Sequence, residues 1–158
     1  MNRDLFIAFL EKDDLSRDDE AWRTRALTAK SYKNVVHGLS DIETGEELAT
    51  YGDALLKFVL CEYLLDDDDP KALSETKKQY ESDRVLVDKL ARHYDLLRYI
   101  RFDREDPHIP KNYDYEDARH KYIATALEAL LGAHYKIYGD LDTVRAIVRI
   151  WMSIIDRE

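Results

Sequence analysis

From Leu5 to Ile155, apolar residues recur three and four positions apart almost without interruption, which is the spacing of side chains on one face of an α-helix. Five glycines and three prolines are too few to punctuate a β-rich chain of 158 residues, and alternating β-branched runs are scarce. The fold class that follows is all-α, a single bundle of about six to eight helices.

Caps and breakers divide the pattern. A first helix is predicted over residues 2–12 with Leu5, Phe9 and Leu10 inward. A second starts after Ser16, with Asp19 as the capping acid, and runs to Gly38. Thr44-Gly45-Glu46-Glu47 has capping-box spacing and opens a helix ending near Leu65. On that helix Leu48, Tyr51, Leu55, Phe58 and Val59 share one face, and Leu56, Leu60 and Leu64 cover most of the rest. Apolar nearly all round, it belongs at the centre of the bundle. Asp66 to Asp69 form a loop, ending in a cap before Pro70. Helices over 70–79, 83–100 and 115–138 follow, the last closed by Gly139, with a long loop at 102–114. Asp140 caps a final helix striped by Leu141, Val144, Ile147, Val148, Trp151 and Ile155.

Composition narrows the function classes. Lys plus Arg is 24 and Asp plus Glu is 33, a net charge of −9, so binding polyanions by bulk charge is excluded. One cysteine, Cys61, excludes an internal disulfide and a cysteine-based zinc cluster, and its apolar neighbours mark it as core packing. The five histidines lack zinc-site spacing, and the eleven tyrosines read chiefly as core-edge packing. No apolar run reaches membrane-spanning length, and the acidic N-terminus is unlike a signal peptide. A soluble, cytoplasmic protein without a membrane partner is the expectation.

Two acids break the apolar pattern. Asp53 follows Gly52 in the middle of the third helix, on the same side as Glu46 and Ala49. Such a carboxylate is expensive to bury unless paired or bound to metal, and a mid-helix glycine points to close approach by another backbone or a ligand. Glu128 is framed in the same way by Thr125 and Gly132. Two helices meeting at these positions would form an acidic pocket whose oxygen donors suit Mg²⁺ or Mn²⁺. Simpler roles exist for each: a helix-dipole acid for Glu46, a core pair with Lys57 or a tyrosine hydroxyl for Asp53, and an arginine or histidine partner for Glu128.

The stretch Gly45-Glu46-Glu47-Leu48-Ala49-Thr50-Tyr51-Gly52-Asp53-Ala54-Leu55-Leu56 resembles the signature helix of the ribonuclease III family. Ala124-Thr125-Ala126-Leu127-Glu128-Ala129-Leu130-Leu131-Gly132-Ala133 resembles its second motif. The order and separation of the blocks fit, and so does the stretch from Ser82 to Ala91 between them. The resemblance is strongest over residues 30–155, so residues 1–158 are expected to form one catalytic-type domain, without the double-stranded-RNA-binding domain that longer members append. At the positions of the family's four metal-binding acids stand Ala49, Asp53, Thr125 and Glu128; Glu46 matches a further acid. The stand-alone branch called Mini-ribonuclease III is similar in this respect. It also carries a K-N-x-D element like Lys111-Asn112-Tyr113-Asp114, at a different spacing from the glutamate.

The resemblance implies a homodimeric endoribonuclease acting on double-stranded or structured RNA with Mg²⁺, or alternatively Mn²⁺. Asp53 and Glu128 would be direct metal ligands, with Glu46 holding metal-bound water, Thr125 in support and Gly52 shaping the site. Lys57, Arg84, Lys111, Asn112 and Lys121 are the candidate substrate contacts; for Lys57 an i,i+4 pair with Asp53 is the simpler role. Lys77, Lys78, Lys89, Arg92 and Arg119 add local positive charge. The rival reading is a catalytically impaired relative serving as a dimeric RNA-binding or scaffolding module.

Overall fold

The computed structural model describes residues 4–65, 70–116 and 118–157. Helix α1 is Leu5–Glu11, α2 Arg17–Ala26, α3 Glu46–Leu64 and α4 Pro70–Glu81. Helix α5 spans 83–94, with a π-helical middle turn at Leu86–Ala91. Helices α6, Lys121–Tyr138, and α7, Leu141–Arg157, complete the bundle. Among the described residues there is no strand, only an isolated bridge between Thr28 and Arg101. The all-α expectation holds. The predicted loop and cap at 66–69 lie outside the described residues.

The central helix is α6, not α3. Ala124, Ala126, Ala129, Gly132 and Ala133 let neighbours approach α6 from every side, and it buries Ile123, Leu127, Leu130 and Leu131 completely. Helix α3 buries Leu48, Leu56, Val59 and Leu60 but leaves Tyr51 and Phe58 43% and 50% exposed. Its apolar outer face is therefore uncovered within the monomer. Cys61 is half-buried.

The crossing of α3 and α6 is set by two glycines. A Cβ on Gly52 would lie 1.7 Å from the Glu128 carbonyl oxygen, and one on Gly132 would lie 2.5 Å from that of Leu48. At Gly52 the close approach is thus by a backbone rather than a ligand. Only glycine at both positions permits this separation.

Several boundaries differ from the helical periodicity. In α1, Phe6 takes the inward place and Leu5 is 39% exposed, because the helix starts at Asp4, whose Oδ1 accepts from the Phe6 and Ile7 amides. Phe6 packs edge-on against Trp151 at 5.1 Å. Helix α2 ends at Ala26 rather than Gly38 because the next residues pair elsewhere. Arg101 N–H donates to the Leu27 carbonyl, Ala29 N–H to that of Arg101 and Gly45 N–H to that of Thr28. The capping box belongs to Ser40 and Glu43 on a preceding 3₁₀ turn; α3 starts after Gly45 with no side-chain cap.

Helix α5 stops at Tyr94, where Asp95 adopts φ +50°. The Tyr113 hydroxyl holds this end, donating to Asp95 and accepting from the Leu97 amide. Helix α6 begins at Lys121 after a 3₁₀ turn at Ala118–His120, six residues later than predicted. The C-terminal expectations hold: Gly139 closes α6 at φ +62°, and Asp140 Oδ1 caps α7 through the Asp142 and Thr143 amides.

Candidate active site

The α3–α6 crossing brings the two anomalous acids together. Asp53 is one residue past Gly52, and Glu128 supplies the carbonyl against which Gly52 packs. Their side chains are hydrogen-bonded to each other. Around them lies a cavity of about 280 Å³ lined by Glu46, Ala49, Thr50, Asp53, Asp83, Lys121, Thr125 and Glu128. Six positions singled out in the sequence (46, 49, 53, 121, 125 and 128) thus converge from α3 and α6. A larger cleft of about 650 Å³, lined by Phe9, Lys12, His134 and Tyr138 among others, holds none of the motif acids.

The electrostatics are those of two carboxylates sharing one proton. Burial pushes Glu128 up to about 9, helped by its hydrogen bond to Asp53 and by the negative charges of Asp53 and Asp83. Burial also pushes Asp53 up, but hydrogen bonds from Glu128 and Lys57, with the Lys57 charge, hold it below its ordinary value. Neutral Glu128 therefore donates to ionised Asp53, and Lys57 Nζ donates to the other side at 3.0 Å. The simpler role foreseen for Lys57 is the one observed. For Glu128 the partner is a carboxylate instead of an arginine or histidine.

The donor set is all oxygen and excess in negative charge, which fits a hard divalent cation such as Mg²⁺ or Mn²⁺. Asp53 and Glu128 would hold it, with Glu46 exposed at the rim. Among the described residues no three histidine, cysteine or acidic side chains already stand in a metal-holding group. The pair is assembled, and the remaining oxygens must come from Glu46, Thr125, Asp83 or water.

The other predicted contacts stand outside the cavity. Arg84 lies over the Tyr115 ring at 5.8 Å. Lys111 is exposed on the 102–116 segment. Asn112 Oδ1 accepts from the Asp114 amide and meets His120 Nε2 at 3.0 Å, so this amide shapes its own turn. Arg92 pairs with Asp114, Lys77 with Glu81 at 4.0 Å, Lys89 Nζ donates to the Ile155 carbonyl, and Arg119 to that of His108. Thr50 and Asp83 are the lining residues that sequence reasoning missed, and Asp83 is the one that carries charge. It directly follows the Ser82 cap, where an acid is amply explained by the helix dipole.

Residues 46–139 match the ribonuclease III domain family, and the span contains both motif helices. The fold is similar to two structures of the nuclease domain of ribonuclease III from Campylobacter jejuni. One, described as showing structural flexibility in a region involved in dimer formation, has a TM-score of 0.70 at 21% identity, covering 94% of each chain. The other has a TM-score of 0.68 at 20% identity, covering 99% of this chain and 96% of that one. With the paired carboxylates in the cavity between its two signature helices, this chain belongs to the ribonuclease III domain family.

Proposed function

We propose that this chain is a divalent-metal-dependent endoribonuclease that hydrolyses phosphodiester bonds in double-stranded or structured RNA as a homodimer. The observation that carries the reading is the contact between Asp53 and Glu128 inside a cavity that opens to solvent and also holds Glu46, Thr125 and Lys121. Such a pair is costly in a purely structural core and is suited to a cation.

When bound, Mg²⁺ supplies a water of lowered pKa and neutralises charge on the phosphate. The chain's own residues do the rest. Asp53 and Glu128 would hold the ion, Glu128 as its carboxylate with its proton passed to solvent, and Glu46 and the Thr125 hydroxyl would orient water at the rim. Lys121 offers a cation to a phosphate oxygen, and Lys57 keeps Asp53 ionised. A duplex would be met through its backbone and shape, which the net charge of −9 requires to happen through local cations.

Dimerisation is supported by the outer face of α3, where Tyr51 and Phe58 stand exposed one turn pair apart, an apolar surface suited to a second copy. The test is cleavage of a long duplex RNA at low salt with Mg²⁺ or Mn²⁺, comparing wild type with Asp53→Ala and Glu128→Ala. Metal-dependent cutting lost in both variants supports the reading.

The impaired, RNA-binding reading draws on Ala49 and Thr125 together with the lack of an assembled three-acid group among the described residues. Wild type that binds duplex RNA and never cuts it, at any metal concentration, would establish that reading instead.

A further inference from the structure

We infer that Asp83 is a third carboxylate of the metal pocket, supplying from the start of α5 the negative charge that Ala49 and Thr125 do not. This rests on the nuclease reading for the identity of the ion, and it concerns a residue outside both signature motifs.

Asp83 is half-buried and lines the same cavity as Asp53, Glu128 and Thr125. Helix α5 does not need it as a cap, because the Ser82 hydroxyl accepts the Val85 amide at 3.3 Å. A first-turn acid normally points to solvent, where the dipole alone accounts for it. Asp83 instead lines one cavity together with Asp53 and Glu128. Among the described residues it forms no ion pair. Lys57, a nearby cation, is engaged with Asp53, and Lys121 lines the cavity against four acids, Glu46, Asp53, Asp83 and Glu128. Repulsion of this kind persists in a fold when something cationic offsets it.

With Asp83 included, three helices each contribute one carboxylate: α3 through Asp53, α5 through Asp83 and α6 through Glu128. A hard cation selects such sites by charge count and oxygen donors. Thr125 and Ala49 mark where carboxylates are absent from the pocket wall; Asp83 approaches the same space from a different element.

The test is Mn²⁺ binding to the purified protein without RNA, followed by the electron paramagnetic resonance of free Mn²⁺. Asp83→Asn keeps the shape and removes the charge, and is expected to weaken Mn²⁺ binding by about 10- to 100-fold. Adding Thr125→Asp to that variant returns a carboxylate to the pocket and should recover most of the affinity. Asp88→Asn is the matched control, since Asp88 lies on the same helix but accepts the Tyr115 amide at 2.8 Å; it should bind Mn²⁺ like wild type. Asp83→Asn binding within twofold of wild type would overturn the proposal. So would an equal loss in Asp88→Asn, or absence of Mn²⁺ binding by wild type. The readout is separable from catalysis: wild type that binds Mn²⁺ through Asp83 yet leaves duplex RNA intact would refute the nuclease reading and leave this assignment standing.

Discussion

Replacing Gly52 by alanine should force apart the two helices that carry the candidate site. The new Cβ would stand 1.7 Å from the Glu128 carbonyl oxygen, 2.6 Å from its carbonyl carbon and 3.0 Å from the Gly132 nitrogen. All three are backbone atoms of α6, so no rotamer change relieves the overlap. An ordinary contact requires α3 and α6 to separate by about 1.5 Å, and a gap of ~1 Å already forfeits about half of each dispersion contact across an interface. Alanine's helix propensity returns about 1 kcal/mol against a gross overpacking and gap cost of roughly 4 kcal/mol. The net loss of about 3 kcal/mol corresponds to a Tm roughly 6–12 °C lower for a domain of this size.

Gly139→Ala is the comparison. It places a side chain at φ +62° with nothing within 4 Å, so only the left-handed backbone cost of about 1 kcal/mol applies. Thermal and urea melts of both variants read the difference. A Gly52→Ala protein that melts within 2 °C of wild type, or above it, would refute the argument that backbone contact sets the α3–α6 separation. The same variant should lose Mn²⁺ affinity, since the contact that admits only glycine also holds Asp53 beside Glu128.

Three further outcomes are expected. Glu128→Gln retains a donor to Asp53 and removes an ionisation that the fold suppresses. Because the folded pKa is raised from 4.5 to about 9, wild type is least penalised below pH 4.5 and loses stability as pH rises toward 9. At pH 7 without metal the variant should be more stable, by up to about 3 kcal/mol, while losing metal binding; equal melts across pH 5–8 would refute this. His134 is buried, packed against Phe9 and Tyr138, and burial lowers it to about 4. The unfolded chain therefore binds the extra proton between pH 6.5 and 4, so His134→Leu should flatten the loss of stability over that window by about 3 kcal/mol, read by urea melts at each pH. Phe58→Glu, on the exposed face of α3, should convert a dimer to a monomer in sedimentation velocity without lowering the monomer's Tm; an unchanged sedimentation coefficient would argue against that face as the interface.

Much of this was legible because local signals and tertiary contacts agreed. Gly52 directly precedes an acid and Gly132 follows one by a helical turn, each in a largely apolar helix, a pattern that marks a close crossing and a polar contact at once. Asp140 and Gly139 act within one turn of themselves, so their roles follow from spacing alone. The end of α2 was not legible, because Thr28 is drawn out of the helix by Arg101, 73 residues away in sequence, and periodicity carries no record of such a partner. The same holds for Tyr113, which ends α5 from a loop 18 residues downstream.

The exchange of α3 for α6 as the central helix has a different cause. Counting apolar residues favours α3, whose Tyr51, Leu55 and Phe58 add large hydrophobic area. Burial on all sides depends instead on how near the neighbours can come, and the alanines of α6 decide that. Tyr51 and Phe58 on α3 therefore form an outward face, although their spacing alone points to the core. For the site, Asp83 was hidden by having a sufficient local explanation, whereas Asp53 and Glu128 had none.

The packing requirement and the electrostatics of the pocket are one constraint seen from two sides. Glycine at 52 and 132 lets α3 and α6 touch backbone to backbone, and that proximity sets Asp53, one residue after Gly52, and Glu128, one turn before Gly132, on the wall of one cavity. A carboxyl pair so placed keeps one proton at neutral pH, which lowers the stability of the metal-free fold relative to a neutral substitute. The arrangement is unfavourable as packing alone and is relieved by anything that neutralises the pair, whether a proton at low pH or a divalent cation at high pH. On the proposed metal-dependent reading, proton and cation compete for the same oxygens, and Mn²⁺ affinity is expected to rise with pH as Glu128 is vacated.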